Sequence, residues 1–125
     1  MTLGVHDLIT FLQTTHPEKA KAFYGDVLGL TLVEDSPFAI VFRSGRTPLR
    51  IQKVQSFSPL PFTSLGWQVP DIRAAAQQLV AKGVSFQRYE GMKQDDLGIW
   101  LSPAGSQICW FTDPDGNTLS LTQSP

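Results

Sequence analysis

The sequence contains the same helical pattern twice, and this internal duplication limits the folds that the chain can adopt. Apolar residues recur at positions i, i+3, i+4, i+7 and i+8 of two segments, which places them on one face of a helix. The two sets are Ala20, Phe23, Tyr24, Val27 and Leu28, and Ile72, Ala75, Ala76, Leu79 and Val80. A glycine suited to ending a helix follows each set, and Gly29 and Gly83 lie 54 residues apart. The chain is therefore predicted to repeat one structural unit.

Strand patterns surround both helices and complete the repeat. The predicted strands cover residues 5–13, 30–35, 38–44, 47–54, 63–69, 84–86, 97–102, 107–112 and 117–123. We expect an α+β fold in which two βαβββ modules form a curved mixed sheet around a cleft. The chain is interpreted as one domain, 1–125, with module one at about 5–54, a connector containing proline and serine at about 55–62, and module two at about 63–123.

Composition excludes several classes of partner. Ten basic and eleven acidic residues give a net charge of -1, so neither nucleic acid nor an anionic membrane surface is expected as a partner. The single cysteine, Cys109, excludes an internal disulfide and suits a reducing compartment. No apolar run approaches the roughly 18 residues of a membrane span, and the first residues do not resemble a secretory leader. We therefore expect a cytoplasmic protein.

The last two predicted strands are joined by a tight turn, Asp113-Pro114-Asp115-Gly116. After the turn, Thr118, Ser120 and Thr122 alternate with two leucines, so one row of the strand is polar and the other apolar. A turn of four residues would pair Phe111 with Thr118 and Cys109 with Ser120. This pairing predicts that Phe111 faces the cleft and that Trp110 faces the helices, although a single bulge would reverse it.

Three segments resemble the vicinal oxygen chelate superfamily, which includes glyoxalase I, bleomycin-resistance proteins and extradiol dioxygenases. The matching segments are residues 23–30 (FYGDVLGL), residues 69–72 (VPDI) and residues 111–117 (FTDPDGN). The end of the chain is most similar to small, single-module glyoxalase-like proteins. The resemblance implies the glyoxalase/bleomycin-resistance fold and a homodimer, because single modules of this size usually pair in that family. It implies no particular reaction, since the family includes both enzymes and binding proteins.

The resemblance also supplies a test for a metal site. Metal-dependent members hold the ion with His, Glu or Gln from four strands, and counting from the matching segments places those positions at Ile9, Gln52, Leu65 and Ser120. Ser120 stands where such relatives carry Glu. Isoleucine and leucine offer no donor atom, and Gln52 alone does not hold a divalent cation in water. We therefore predict that the metal site is absent and that no cofactor is required.

The predicted cleft lining is apolar and aromatic with a few hydrogen-bonding groups, which is typical of a small-molecule pocket. The predicted ligand-binding residues are Ile9, Phe11, Arg50, Gln52, Leu65, Trp67, Phe111, Thr118 and Ser120. Trp67 fits a pocket and a plain core equally well, and Arg50 suits either an anionic ligand group or solvent. No catalytic residue is assigned.

Two main hypotheses follow for the function. The first is a metal-free protein that binds a small apolar or aromatic organic molecule, with drug sequestration as one role. The alternative is a metal-dependent lyase or dioxygenase of the same superfamily. An enzyme that uses polar cleft residues without a metal is a third hypothesis, for which the sequence specifies no reaction.

Overall fold

The computed structural model describes residues 2–125 and divides the chain into two compact units, of which the first ends at Ser58 and the second comprises Pro59–Pro125. In the first unit, a short 3-10 turn at Leu3–Val5 precedes one helix and four strands. These are β1 (Thr10–Thr14), α1 (Pro17–Ala22), β2 (Thr31–Asp35), β3 (Ala39–Ser44) and β4 (Thr47–Lys53). A π-helical turn, Phe23–Val27, continues α1. The strand order is β1-β4-β3-β2, with β1 parallel to β4 and the other pairs antiparallel.

The core of the first unit lies between α1 and one face of its sheet. Alternate residues of β1, β3 and β4 are buried: Leu12, Thr14, Ile40, Phe42, Leu49 and Ile51. Ala20 and Tyr24 are also fully buried, and the Tyr24 and Phe42 ring centroids lie 6.1 Å apart. The apolar stripe that predicted the helix thus supplies one side of the core. Gly29 follows the helix with a φ of 78°, as expected for a glycine at this position.

The second unit repeats this order of elements. It contains β5 (Thr63–Gln68), α2 (Ile72–Ala81), β6 (Trp100–Leu101), β7 (Gln107–Thr112) and β8 (Thr118–Gln123). The strand order is β5-β8-β7-β6, again with one parallel pair, β5 with β8. The two four-stranded mixed sheets and the few helices confirm the predicted α+β class. The expected strand at 84–86 does not form, and the first strand begins at Thr10 rather than near residue 5.

Helix α2 begins and ends at residues that the sequence indicated. The Asp71 carboxylate accepts a hydrogen bond from the Ala74 N–H at 3.1 Å, which satisfies one of the free donors of the first turn. Gly83 ends the helix with a φ of 94°. The Ile72 N–H donates to the side-chain oxygen of Gln123 on β8 at 2.8 Å. This bond and the full burial of Ile72 and Ala76 identify the face of the second sheet that α2 covers.

The segment between α2 and β6 has little regular structure but is held by side-chain hydrogen bonds. Gln94 donates to the carbonyls of Gln87 and Gly98 at 2.9 and 2.8 Å, and its side-chain oxygen accepts from the Tyr89 N–H at 2.8 Å. The Asp95 carboxylate accepts from the N–H groups of Leu97 and Ile99, both at 2.9 Å. The segment is therefore ordered by bonds that periodicity does not reveal. Within residues 2–125, no helix combines the length and the apolar composition needed to cross a membrane.

Candidate functional site

The face of the first sheet that lies opposite α1 carries three of the predicted ligand-binding residues, Phe11, Arg50 and Gln52. Phe11 pairs with Arg50, and Gln13 pairs with Gln52. The Gln13 amide donates to the Gln52 side-chain oxygen at 3.4 Å. Phe11 is 53% exposed and Arg50 is half-buried, while Leu12, Leu49 and Ile51 beside them along the strands are buried. Phe11, Gln13, Arg50 and Gln52 thus share one face of the sheet, and Ile9 lies just before β1 with 59% of its surface exposed.

The hairpin between β7 and β8 differs from the expected pairing by one residue. Thr112 pairs with Thr118, Phe111 with Leu119 and Trp110 with Ser120. The connection contains five residues rather than four, because the Asp113 N–H donates to the Asn117 carbonyl at 3.0 Å. Each side chain of β7 is consequently on the face opposite to the predicted one. Phe111 is fully buried on the face that α2 covers, and Trp110 shares the opposite face with Ser120.

The prediction that Leu65 and Trp67 of β5 face the cleft is wrong for a related reason. Thr63 pairs with Thr118, but Leu65 pairs with Leu119, so the register shifts between them. This bulge at residue 64 places Leu65 and Trp67 beside the buried leucines of β8. Gly66 pairs with Ser120 instead, and a Cβ atom at Gly66 would lie only 2.5 Å from the Ser120 hydroxyl oxygen. A side chain on Gly66 would therefore displace Ser120.

The face opposite α2 contains a hollow of about 280 Å³ within the second unit. It is lined by Pro61, Phe62, Thr63, Tyr89, Met92, Trp110 and Thr118. The Tyr89 and Trp110 ring centroids lie 5.5 Å apart with an angle of 86° between the ring planes. Trp100 packs against Trp110 from another side, with ring centroids 6.2 Å apart. Aromatic walls with three hydroxyl-bearing side chains, Thr63, Tyr89 and Thr118, are suited to an apolar organic ligand.

Of the residues predicted for ligand binding, Thr118 lines this hollow, and Ser120 lies beside it as the strand partner of Trp110. Sequence reasoning missed Phe62, Tyr89, Met92 and Trp110. The length of the turn after β7 could have identified Trp110. The other three lie in segments without periodicity, where no sequence pattern indicated them.

A second hollow, of about 440 Å³, lies in the first unit between α1, its π-helical turn and β2. Leu30, Leu32 and Phe42 contribute apolar surface to it, and charged side chains including Lys21 surround them. Lys21 donates to the Asp35 carboxylate at 3.2 Å. Hydrogen bonds from Lys53 and Lys21 hold the pKa of Asp35 below its ordinary value. None of the predicted site residues lines this hollow.

The single cysteine does not offer a nucleophile. Cys109 is fully buried, and its burial raises the pKa of the thiol from 9.0 to about 12, with a further contribution from the negative charge of Asp95. At neutral pH such a group is a protonated core residue. Nucleophilic catalysis by Cys109 is therefore excluded.

The side chains at the family's metal positions do not fit a divalent cation. Ile9 and Leu65 carry no donor atom, Gln52 carries a neutral amide and Ser120 a hydroxyl. In the second unit, the residue paired with Ser120 is Gly66, so correcting the register adds no donor. Across residues 2–125, His, Cys, Asp and Glu side chains form no group of three or more that could hold a metal ion.

Comparison with known proteins agrees with the fold. The model of the Glyoxalase/Bleomycin resistance protein/Dioxygenase superfamily matches residues 7–121. The match confirms the fold class that is defined by two βαβββ units. The chain therefore belongs to this superfamily. No curated protein sequence matches the chain significantly.

Solved structures of similar fold include a bleomycin resistance determinant, an antibiotic binding protein and a lyase. The bleomycin resistance determinant encoded on the transposon Tn5 has a TM-score of 0.76 at 19% identity, with 96% of this chain and 98% of that chain covered. TnmS3, an antibiotic binding protein from Streptomyces sp. CB03234, has a TM-score of 0.72 at 24% identity, with 96% of each chain covered. Lactoylglutathione lyase from Agrobacterium tumefaciens has a TM-score of 0.74 at 20% identity, with 95% and 93% covered. At these identities the likeness shows the fold alone.

Proposed function

We propose that the protein binds a small apolar or aromatic organic molecule without a metal ion, and that the hollow bordered by Trp110 is part of the binding site. The observation that carries this proposal is the lining of the hollow, where Phe62, Tyr89, Met92 and Trp110 converge. Large aromatic side chains bury about 150–250 Å² each and supply most of the affinity for apolar ligands. Thr118 and Ser120 offer hydroxyl groups that would orient the ligand.

Sequestration of a drug-like molecule is the role that we propose for this binding. It is supported by the similarity to an antibiotic binding protein and to a bleomycin resistance determinant. For the first unit taken by itself, we propose Phe11, Arg50 and Gln52 as ligand contacts, since they lie on one face of its sheet.

We further propose that the protein is a cytoplasmic homodimer. The segment before and within β1 supports the dimer, because Leu3, Val5, Leu8, Ile9 and Phe11 are 53–86% exposed. Exposed apolar surface of this extent is typical of an interface. The free thiol of Cys109 is consistent with a reducing compartment.

Tryptophan fluorescence tests the proposed site. A panel of planar and apolar organic molecules is titrated into the wild-type protein and into Trp110→Phe and Trp67→Phe variants. We expect quenching by some of these molecules in the wild type, a weaker affinity in Trp110→Phe and an unchanged affinity in Trp67→Phe, because Trp67 lies on the face that α2 covers. Equal affinities in the wild type and in Trp110→Phe would place the ligand elsewhere.

A further inference from the structure

We propose that the aromatic hollow of the second unit receives a compact organic cation, such as a quaternary ammonium head group. This inference rests on the proposed function and names the ligand chemistry of the same site. Cations are attracted to the negative faces of aromatic rings when they lie within about 6 Å of the ring centroid. The geometry, the charge and the rigidity of the hollow each support this chemistry.

The ring geometry favours a rounded ligand group over a flat one. The planes of Tyr89 and Trp110 stand at 86° with their centroids 5.5 Å apart. A planar ligand can lie parallel to only one of two perpendicular rings. A tetrahedral ammonium group presents methyl groups in every direction and can contact both rings, together with Phe62 and Met92, which also line the hollow.

The charges around the hollow do not oppose a cation. Among the described residues, those that line the hollow carry no charge, so no lysine or arginine in it would repel a positive ligand. Residues 59–125 contain four basic and six acidic side chains, which gives the second unit a net charge of -2. A cation therefore enters a neutral aromatic site within a weakly negative unit.

The aromatic walls are fixed before a ligand arrives. The Tyr89 N–H is held by the Gln94 side chain, which also ties the chain on both sides of it through the carbonyls of Gln87 and Gly98. Trp110 lies in the middle of β7 and packs against Trp100. Gln94 is thus a positioning residue for the Tyr89 wall. Rigid walls reduce the entropy lost on binding, which favours a small ligand group.

The volume also suits a head group rather than an entire drug-sized molecule. The hollow measures about 280 Å³. Pockets for drug-sized ligands measure about 300–1,000 Å³, so this one is at the lower limit. We therefore expect it to hold a cationic group while the remainder of the ligand extends beyond it.

Two probes that differ only in charge test the inference. Choline and its neutral carbon isostere, 3,3-dimethyl-1-butanol, have nearly the same shape, and their affinities are measured by isothermal titration calorimetry with the wild-type protein. We expect choline to bind at least about five-fold more tightly, because the aromatic faces attract only the cation. Equal binding, tighter binding of the isostere, or no binding of choline would overturn the inference.

Variants identify where the cation binds. Tyr89→Leu keeps an apolar wall but removes the ring, and we expect choline affinity to fall about five-fold or more. Tyr89→Phe keeps the ring and should retain most of the affinity. Phe38→Leu is the matched control, since Phe38 is an exposed aromatic residue of the first unit. Circular dichroism and thermal unfolding confirm that each variant is folded.

The outcomes separate this inference from the proposed function. If planar or apolar molecules quench Trp110 while choline does not bind, the cation inference fails and the proposed function stands. If neither choline nor the planar and apolar molecules bind, both the cation inference and the proposed function fail. If choline binds equally well to the wild type and to Tyr89→Leu, the cation site lies outside this hollow and the inference is wrong.

Discussion

At the scale of single residues, Cys109 shows how burial controls chemistry. Its thiol lies on β7, on the face that α2 covers, and it is fully buried. Transfer of a thiolate out of water is costly, so the folded protein keeps the proton to a much higher pH than the unfolded chain does. Cys109 is therefore a core residue whose ionisation opposes folding.

The first prediction concerns the stability of the fold at alkaline pH. The pKa of Cys109 is about 12 in the folded protein, against an ordinary value of 9.0. Between these values the unfolded chain loses the thiol proton and the folded chain retains it, so the free energy of unfolding falls as the pH rises. The fall from this group approaches about 1.4 kcal/mol per pH unit. Urea unfolding at pH 8 to 11 measures it.

The matched variant for this prediction is Cys109→Ala. The two proteins differ only in this side chain, so the difference between the two free energies of unfolding isolates the thiol. We expect the advantage of the wild type over Cys109→Ala to shrink steadily above pH 9. Parallel pH profiles would show that the thiol ionises as easily in the folded protein as in the unfolded chain.

Trp110 and Phe111 illustrate how one residue of register changes the content of a site. They are neighbours on β7, yet Phe111 is fully buried and contacts Phe86 with ring centroids 5.7 Å apart. Trp110 faces the other way and forms a wall of the hollow. Because strand side chains alternate, an error of one position exchanges a core residue for a ligand-binding residue.

At the scale of elements, the turn between β7 and β8 determines this register. The Asp113 carboxylate is buried and accepts three hydrogen bonds of 2.9 Å, from the N–H groups of Asp115 and Asn117 and from the Asn117 side-chain amide. Gly116 adopts a φ of 89°, which few other residues tolerate. The carboxylate thus closes a five-residue connection in place of a shorter one.

The second prediction is that Asp113→Ala strongly destabilises the second unit. The substitution leaves two backbone N–H groups and one side-chain amide without their acceptor, so we expect a loss of about 2–4 kcal/mol in the free energy of unfolding. Asp113→Asn should lose clearly less, because its amide oxygen can still accept both backbone N–H groups. Chemical denaturation of the three proteins measures the losses. A loss below about 1 kcal/mol for Asp113→Ala would show that this turn does not depend on the carboxylate.

At the scale of the whole molecule, each unit carries a sheet covered by one helix, which leaves the opposite sheet face available for binding. Phe11 and Arg50 lie on that face in the first unit, and Trp110 and Ser120 lie on it in the second. The positions where metal-dependent relatives carry ligands hold only neutral side chains, Ile9, Gln52, Leu65 and Ser120. The molecule has therefore kept the fold of its superfamily with a different set of donors.

The third prediction concerns metal dependence. We expect protein purified without chelator to contain no stoichiometric nickel, zinc, iron or manganese, and ligand binding to be unchanged by EDTA. The reason is the donor set, since Ile9, Leu65, Gln52 and Ser120 provide no anionic or imidazole ligand. Elemental analysis and titrations before and after chelation measure this. One tightly bound ion per chain would favour the metal-dependent lyase or dioxygenase instead.

The sequence by itself determined the family, the class of the fold and, apart from the expected strand at 84–86, the order of the elements. These follow from local rules: helical stripes end at Gly29 and Gly83, where positive φ angles are required, and strand periodicity gives most strand boundaries within a few residues. Such signals are contained in short windows of sequence, so they can be read without the folded structure.

Only the tertiary structure decided which side chains meet in the candidate site. The five-residue turn after β7 and the bulge at residue 64 each shift the phase of a strand by one, which places Phe111, Leu65 and Trp67 on the face that α2 covers and Trp110 on the opposite face. Tyr89 joins the hollow because Gln94 holds a segment without periodicity in place. Side-chain hydrogen bonds and strand register, rather than local propensity, fix these positions. For that reason the sequence predicted the scaffold more completely than the site.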